Sequence, residues 1–350
     1  MTNGVATLGD VAERAGVSKS TVSRVLAAKR GQRIPFSITT QEKVRDAANA
    51  LGYRPSKLAR GLTKSRTGII GLVVPSIKNS FFPNLIDAIE SRLTEEGFNV
   101  ILADTNADPL VERAKIEDLL SWRVDGLIIA PCQKNPDVGI FQDLKQKKVP
   151  FVLVDRNFPQ TPFYSVVSDD YSGAVMMTEH LLSLGYRRIA VVSDSFTIST
   201  HRLRYAGYTD TLIRYGITPD PALSIQADAT SEGGSEAMRS IMELPGLPDA
   251  VFFFGDPMVI GAMNECFSHG IKVPEDIAMA GYADLNYASV LRAPLTTVRQ
   301  PRGLLGKFAV EILIAQLNGH NPGQFQLKLP VELVIRESCG ANSEIPRRML

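Results

Sequence analysis

Thr7 to Leu26 read TLGDVAERAGVSKSTVSRVL, and the spacing within this stretch decides how the first part of the chain folds. Thr7 with Asp10 three residues later has the form of a capping box, in which each side chain satisfies the other's backbone N–H. Leu8, Val11, Ala12 and Ala15 then recur at helical spacing until Gly16 stops the helix. Ser18 can cap a second helix whose Val22, Val25 and Leu26 face inward, which leaves Lys19, Ser20, Ser23 and Arg24 outside. Two short helices joined around a glycine form a helix-turn-helix. Thr39 and Glu42 open a third helix carrying Val44, Ala47, Ala48 and Leu51 and ended by Gly52, and three helices of this size close a small core.

The charge follows the same division. Residues 1–66 hold 13 basic and 4 acidic side chains, a net +9, while the rest of the chain holds 25 against 33, a net −8. A basic face can serve solubility alone, but so much charge in a fifth of the chain favours a polyanion partner. The outward face of the second helix has matching chemistry. A major groove accepts one helix, Arg can bond guanine bidentately, and Ser and Thr bond base edges or phosphates.

TLGDVAERAGVSKSTVSRVL, followed by LGYRPSKLARGL at residues 51–62, resembles the DNA-binding signature of the lactose-repressor (LacI/GalR) family of transcription regulators. The resemblance implies base reading by Lys19 and Ser20, assisted by Arg24, and phosphate contacts from Thr21 and Ser23. AAKRGQRIPFSI at 27–38 is about four residues longer than the family's usual loop, and its Lys29, Arg30 and Arg33 either contact the backbone of DNA or are solvated. SKLARGL is too short to be a stable helix alone, because isolated helices below about 12–15 residues are marginal in water. In the family this segment is a hinge helix that forms over the central minor groove when two protomers meet. Leu62 matches the leucine that wedges between base pairs, with Leu58 and Ala59 beside it; the alternative is a linker patch resting on the core. The resemblance therefore implies a homodimer on palindromic double-stranded operator DNA.

From residue 67 the sequence alternates apolar runs with helical patterns. The runs GIIGLVVP, FNVILAD, VDGLIIAP, VPFVLVD, RRIAVVSD, DAVFFFGD and DIAMAGYAD are nearly uniformly apolar, which suits parallel strands covered on both faces. Helical patterns at 84–96, 110–121, 171–184, 202–215, 231–243 and 257–269 lie between them. The fold class is α/β: a small all-α helix-turn-helix head and two doubly wound parallel-sheet subdomains. The family resemblance extends through IIGLVVPSIKNSFFPNLIDAIE, HRLRYAGY, IAMAGYADL and PLTTVRQP and implies a periplasmic-binding-protein-like core with crossovers near 167, 299 and 327. The implied organisation is a head at 1–54, a hinge and linker at 55–66, a ligand-binding and dimerisation core at 67–338 closed by VELVIRES, and a tail at 339–350. Within the core, 67–167 with 300–326 make one subdomain and 168–298 with 328–338 the other.

Ligands of such folds bind outside the carboxyl ends of the strands. The candidates are Asn79, Phe81 and Phe82 after the first strand, Asp155 and Arg156 after the fourth, Arg204 in HRLRYAGY, Asp256, Tyr282 and Asp284. Phe81 and Phe82 either line the site or belong to the core. Arg204 matches the family's ligand-holding arginine. Gly255 replaces an asparagine of the family, Ala283 an acid, and Ala229 a stacking aromatic. With Arg156 and Arg204 retained, this set leads to the expectation of an anionic sugar derivative, since guanidinium forks favour carboxylates and phosphates.

Other functions fit less well. The chain has no glycine-rich dinucleotide loop, P-loop or nucleophile elbow, and its four histidines form no metal or triad pattern, so neither an enzyme nor a cofactor nor a metal is expected. Cys132, Cys266 and Cys339 are read as buried thiols. No apolar run approaches the ~20 residues of a membrane helix and no signal-peptide core follows the start, so a cytoplasmic protein without membrane contact is expected. A stand-alone sugar-binding protein is the alternative, but it has no use for the basic head.

Overall fold

The computed structural model of the protein describes residues 6–27, 35–54, 66–133 and 136–341, and the chain divides into two compact units, Met1–Gly68 and Ile69–Leu350. The expected hinge residues Leu58, Ala59 and Leu62, and the loop cations Lys29, Arg30 and Arg33, lie outside the described residues.

The first unit holds α1 (Leu8–Ala15), α2 (Lys19–Ala27) and α3 (Ile38–Ala50). Both halves of the capping box form: Thr7 N donates to Asp10 Oδ2 at 2.7 Å, and Asp10 N donates to Thr7 Oγ1 at 3.3 Å. Gly16 takes φ 66°, a left-handed turn that a Cβ would oppose, and so lets the chain reverse into α2. Ser18 Oγ accepts from Thr21 N at 3.1 Å, which satisfies a first-turn donor of α2. The third helix starts one residue before the expected Thr39, because the side chain of Ser37 accepts from Thr40 N at 3.2 Å and is the cap. Val11, Ala12, Val22, Val25, Val44, Ala47 and Ala48 fill the core between the three helices.

The second unit is built on two sheets. The first contains β1 (Ile69–Val74), β2 (Asn99–Asp104), β3 (Gly126–Ile129), β4 (Phe151–Val154), β5 (Ser165–Ser168) and, from late in the chain, β11 (Gln326–Leu329). Their order across the sheet is β11-β5-β4-β3-β1-β2, all parallel. The second contains β6 (Ile189–Ser193), β7 (Ser224–Gln226), β8 (Ala250–Phe253), β9 (Ala278–Ala283), β10 (Thr296–Arg299) and β12 (Glu332–Val334), in the order β12-β10-β9-β8-β6-β7. Only β12 runs antiparallel to its neighbour. The chain changes sheet after β5, after β10 and between β11 and β12.

Helices α4 (Phe81–Glu95), α5 (Pro109–Ser121), α6 (Val138–Gln146) and α11 (Arg302–Leu317) cover the first sheet. Helices α7 (Asp170–Ser183), α8 (Ser199–Arg214), α9 (Ser231–Met242) and α10 (Asp256–Ser268) cover the second. Leu305, Ala309 and Leu313 of α11 fill the same cluster as Leu85, Ile89 and Leu93 of α4, so a segment from the end of the chain completes the first sheet's core. Helices α9 and α10 meet backbone to backbone: a Cβ on Gly261 would fall 1.7 Å from the carbonyl oxygen of Ser231, and one on Gly234 would fall 1.8 Å from that of Met258. All three cysteines are free and buried. Among the described residues no helix is long and apolar enough to cross a membrane.

Candidate functional site

In the first unit, α2 turns Val22 and Val25 into the core and leaves Lys19, Ser20, Ser23 and Arg24 exposed, with Thr21 half-buried. Thr21 and Ser20 are tied to Ser18, whose Oγ lies 2.9 Å from Thr21 Oγ1 and 2.8 Å from Ser20 Oγ. The face is thus a row of hydroxyls and two long cations, held at fixed spacing by the buried valines behind it. Side chains of this kind at helical spacing can bond base edges and phosphates.

The second unit contains a cleft of about 500 Å³, part of it open to solvent, where strand ends of both sheets converge. Asn79, Phe81, Phe82, Asp155, Arg156, Arg204 and Tyr282 of the expected set line it. Phe81 and Phe82 resolve the question of core against site by doing both: their rings meet edge to face at 5.2 Å, belong to the first sheet's core and still border the cleft. Asp155 follows β4 with φ 67°, the left-handed region that side chains rarely adopt, while Ala283 ends β9 with φ 132° and Asp284 follows it with φ 53°. Backbone held in such regions costs of order 1–3 kcal/mol per residue and collects at functional sites.

Asp256 and Asp284 are not part of the lining. Asp256 is fully buried, accepting from Thr297 Oγ1 at 2.7 Å and Leu285 N at 2.8 Å, and burial pushes its carboxyl up to about 6. Asp284 holds Arg299 and Arg336, each at 2.7 Å. The sequence places both acids at strand ends, but their carboxylates are consumed by tying β9 and β10 to their surroundings.

Arg204 also differs from a free anion holder. Its Nε donates to Asp170 Oδ1 at 2.8 Å, Nη2 lies 2.7 Å from the same carboxylate, and Nη1 donates to the carbonyl of Phe254. The guanidinium stacks 3.6 Å from the centroid of the Tyr282 ring. Burial pushes the Asp170 carboxyl up to about 6 against the pull of Arg204, which leaves it charged at neutral pH and matched to the arginine. Arg156 Nε faces Asp155 Oδ2 at 3.5 Å without hydrogen-bond geometry, and its Nη1 donates to the carbonyl of Pro131 at 3.4 Å. Each of the two arginines thus has an aspartate beside it, where the sequence led to the expectation of guanidinium forks held ready for an anion. What remains for a ligand is the unspent hydrogen-bonding capacity of these forks, since a guanidinium carries five N–H donors.

Four lining residues were not among the sequence candidates and matter here: Thr200, His201, Phe254 and Gln300. Thr200 and His201 lie one helical turn before Arg204, and Gln300 follows β10 directly, so strand-end position and i, i+4 spacing were the available signals. His201 Nδ1 lies 2.9 Å from Ser193 Oγ, and burial, reinforced by Arg204 and Arg156, holds the ring neutral by lowering its pKa. The N-terminus of α8 has no side-chain cap of its own; Gln133, which follows β3 of the other sheet, supplies one by accepting from Ser199 N at 2.7 Å. This bond joins the two halves of the unit beside the cleft, as do those from Arg302 of α11 to the carbonyls of Ala283 and Asp284. Among the described residues no cluster of His, Cys, Asp and Glu could hold a metal ion.

Residues 7–56 match the sequence profile of the bacterial regulatory proteins of the lacI family, and residues 178–339 match that of a periplasmic binding protein-like domain. The ribose operon repressor of Escherichia coli (strain K12) is 32% identical over 340 residues, 96% of this chain and 100% of the relative. A lac repressor dimer solved on operator with the anti-inducer ONPF superposes with a TM-score of 0.85 at 30% identity, covering 96% of this chain and 99% of that one. A LacI-family transcriptional regulator from Enterococcus faecium solved with bound ribose matches with a TM-score of 0.68 at 27% identity, covering 77% of this chain and 98% of that one. The exposed polar face of α2, the paired parallel sheets and the cleft between them, with identity of this extent along nearly the whole chain, make this protein a member of the lacI family of bacterial transcription regulators.

Proposed function

We propose that the protein is a dimeric repressor that grips a palindromic operator through its basic head and releases or tightens that grip when a small sugar-like molecule fills the cleft. The observation that carries the reading is the face of α2, where Lys19, Ser20, Ser23 and Arg24 stand clear of a core built from Val22 and Val25. Lys19, Ser20 and Arg24 address base edges, and Thr21 and Ser23 address phosphates. Leu58, Ala59 and Leu62 supply the minor-groove contact between protomers. The ligand acts by changing how the cleft closes, and so how the two hinge segments of the dimer meet. A coupling of about 1–3 kcal/mol is typical of such linkage. The names of the relatives support a sugar: one is a ribose operon repressor and another was solved with ribose.

The test begins with selection of bound duplexes from a random pool, followed by anisotropy titration of the selected site against scrambled DNA across a salt series. Affinity is expected to fall steeply with salt as counterions are released. Arg24→Ala is expected to cost about 1–3 kcal/mol and to relax preference at one base pair of each half-site. A protein that never prefers one duplex over another, with or without sugar, refutes the reading.

A further inference from the structure

His201 lines the cleft in the first turn of α8, and its surroundings fix which ring nitrogen carries a proton. Nδ1 lies 2.9 Å from the hydroxyl of Ser193, the last residue of β6, a strand hydrogen-bonded to β7 and β8. Ser193 is fully buried, and its hydroxyl has no other hydrogen-bond partner among the described residues. A serine hydroxyl always has a hydrogen to donate, and a buried donor left without an acceptor costs its whole desolvation penalty. The hydrogen therefore points at Nδ1, which must be bare to accept it. The ring as a whole is neutral, because burial, the charges of Arg204 and Arg156 and the positive end of α8 all oppose a second proton. A neutral imidazole carries one ring proton, so with Nδ1 bare that proton sits on Nε2.

Nε2 makes no hydrogen bond among the described residues, and it is not one of the unpartnered polar atoms sealed from solvent. The ring is held in place by more than Ser193: Phe254 packs against it edge to face at 6.1 Å, and Gln133 secures the helix end beside it through Ser199 N. A fixed N–H that opens on a cleft and has no partner in the protein is a donor kept for a bound molecule. We infer that His201 is a specificity-determining residue of the effector site and donates its Nε2–H to an oxygen of the bound sugar. A hydroxyl, ring or carbonyl oxygen satisfies this donor, whereas a sugar deoxygenated at that position leaves it unpaired. The inference rests on the regulatory reading above and adds a residue, with its polarity, to the sugar site.

The experiment uses the full chain and two readouts. Nitrogen-15 NMR of histidine-labelled protein near neutral pH, with His201 assigned by the signals lost in His201→Gln, reads the ring directly. The expected result is a proton on Nε2 and a bare Nδ1; a proton on Nδ1, or on both nitrogens, overturns the inference. Isothermal titration with D-ribose and with ribose 5-phosphate reads the contact, with operator anisotropy measured alongside. For whichever sugar the parent binds, His201→Leu is expected to weaken binding about tenfold or more, because the ligand oxygen is left unpaired. His201→Gln, whose amide N–H can stand nearly where Nε2–H stood, is expected to recover most of that loss. His201→Phe replaces the leucine variant should that one disturb folding. If the apolar variant binds as tightly as the parent, the inference falls and the regulatory reading stands. If the apolar and glutamine variants lose affinity alike, in step with their melting temperatures, the ring only packs and the inference falls too. If the parent binds neither sugar and neither changes its operator affinity, the inference and the sugar reading fall together.

Discussion

Arg204→Met is the perturbation that separates an internally committed arginine from a free anion holder. The guanidinium is buried, chelates Asp170 with contacts of 2.7 and 2.8 Å, and holds the carbonyl of Phe254. Methionine keeps much of the volume but leaves a buried carboxylate alone, and breaking a buried pair from one side costs about 3–5 kcal/mol. The carboxylate can limit that loss by binding a proton. It then binds a proton in the folded state that it does not bind in the unfolded one, so the variant regains stability as pH falls, by roughly 1.4 kcal/mol per unit between pH 7 and 5. The parent gains less over the same interval, because Arg204 keeps Asp170 ionised down to about 6. Urea unfolding of parent and variant at pH 7 and pH 5 measures both effects, and Asp170→Asn added to Arg204→Met is expected to recover much of the loss at pH 7. A single variant within about 1 kcal/mol of the parent at pH 7 would refute the pairing and restore Arg204 as a cation held ready for an anion.

Three further outcomes follow from the structure. Glu112 is buried on α5 with Oε2 accepting from Cys132 N at 2.7 Å, and burial pushes its carboxyl up to about 7. A raised carboxyl contributes stability at low pH that is lost as pH rises through 7, so Glu112→Gln is expected to raise stability at pH 8 by about 3 kcal/mol and to leave it nearly unchanged at pH 4.5, checked by urea titrations. Gln133→Leu removes the acceptor from Ser199 N, a loss of about 1 kcal/mol beside the cleft, and titration calorimetry should show ligand binding weakened roughly fivefold. Gly261→Ala drives a methyl into the backbone of α9, so thermal unfolding should show a loss of about 3 kcal/mol or more.

Most of this arrangement is written in the sequence in one of two scripts. The head is legible because its helices are amphipathic and end on caps, so Thr7, Asp10, Gly16 and Ser18 mark boundaries that local chemistry enforces. The long strands are legible because parallel strands covered on both faces are uniformly apolar. β10 (TTVR) and β11 (QLKL) escape that signal, being four residues long and partly polar, and α11 shows no periodicity because it is nearly as apolar outside as in. At the cleft, position after a strand end identifies Asn79, Asp155 and Arg156 but cannot say which way a side chain turns. That choice is tertiary: Thr297 and Leu285 draw Asp256 inward, Arg299 and Arg336 draw Asp284 aside, and Asp170 claims Arg204 from another helix.

The late arrival of β11 and α11 has a cost during synthesis. The first sheet's edge at β5 is complete on the chain by residue 168, yet its neighbouring strand emerges only at Gln326–Leu329 and the helix that covers its core at Arg302–Leu317. At 5–20 residues per second the ribosome needs roughly 10–30 s to cover that interval, during which a parallel edge and an apolar floor face the cytosol unguarded. The nascent protein must therefore survive its own translation half-dressed, and every strand of the second sheet but β12 is synthesised before the first can be closed.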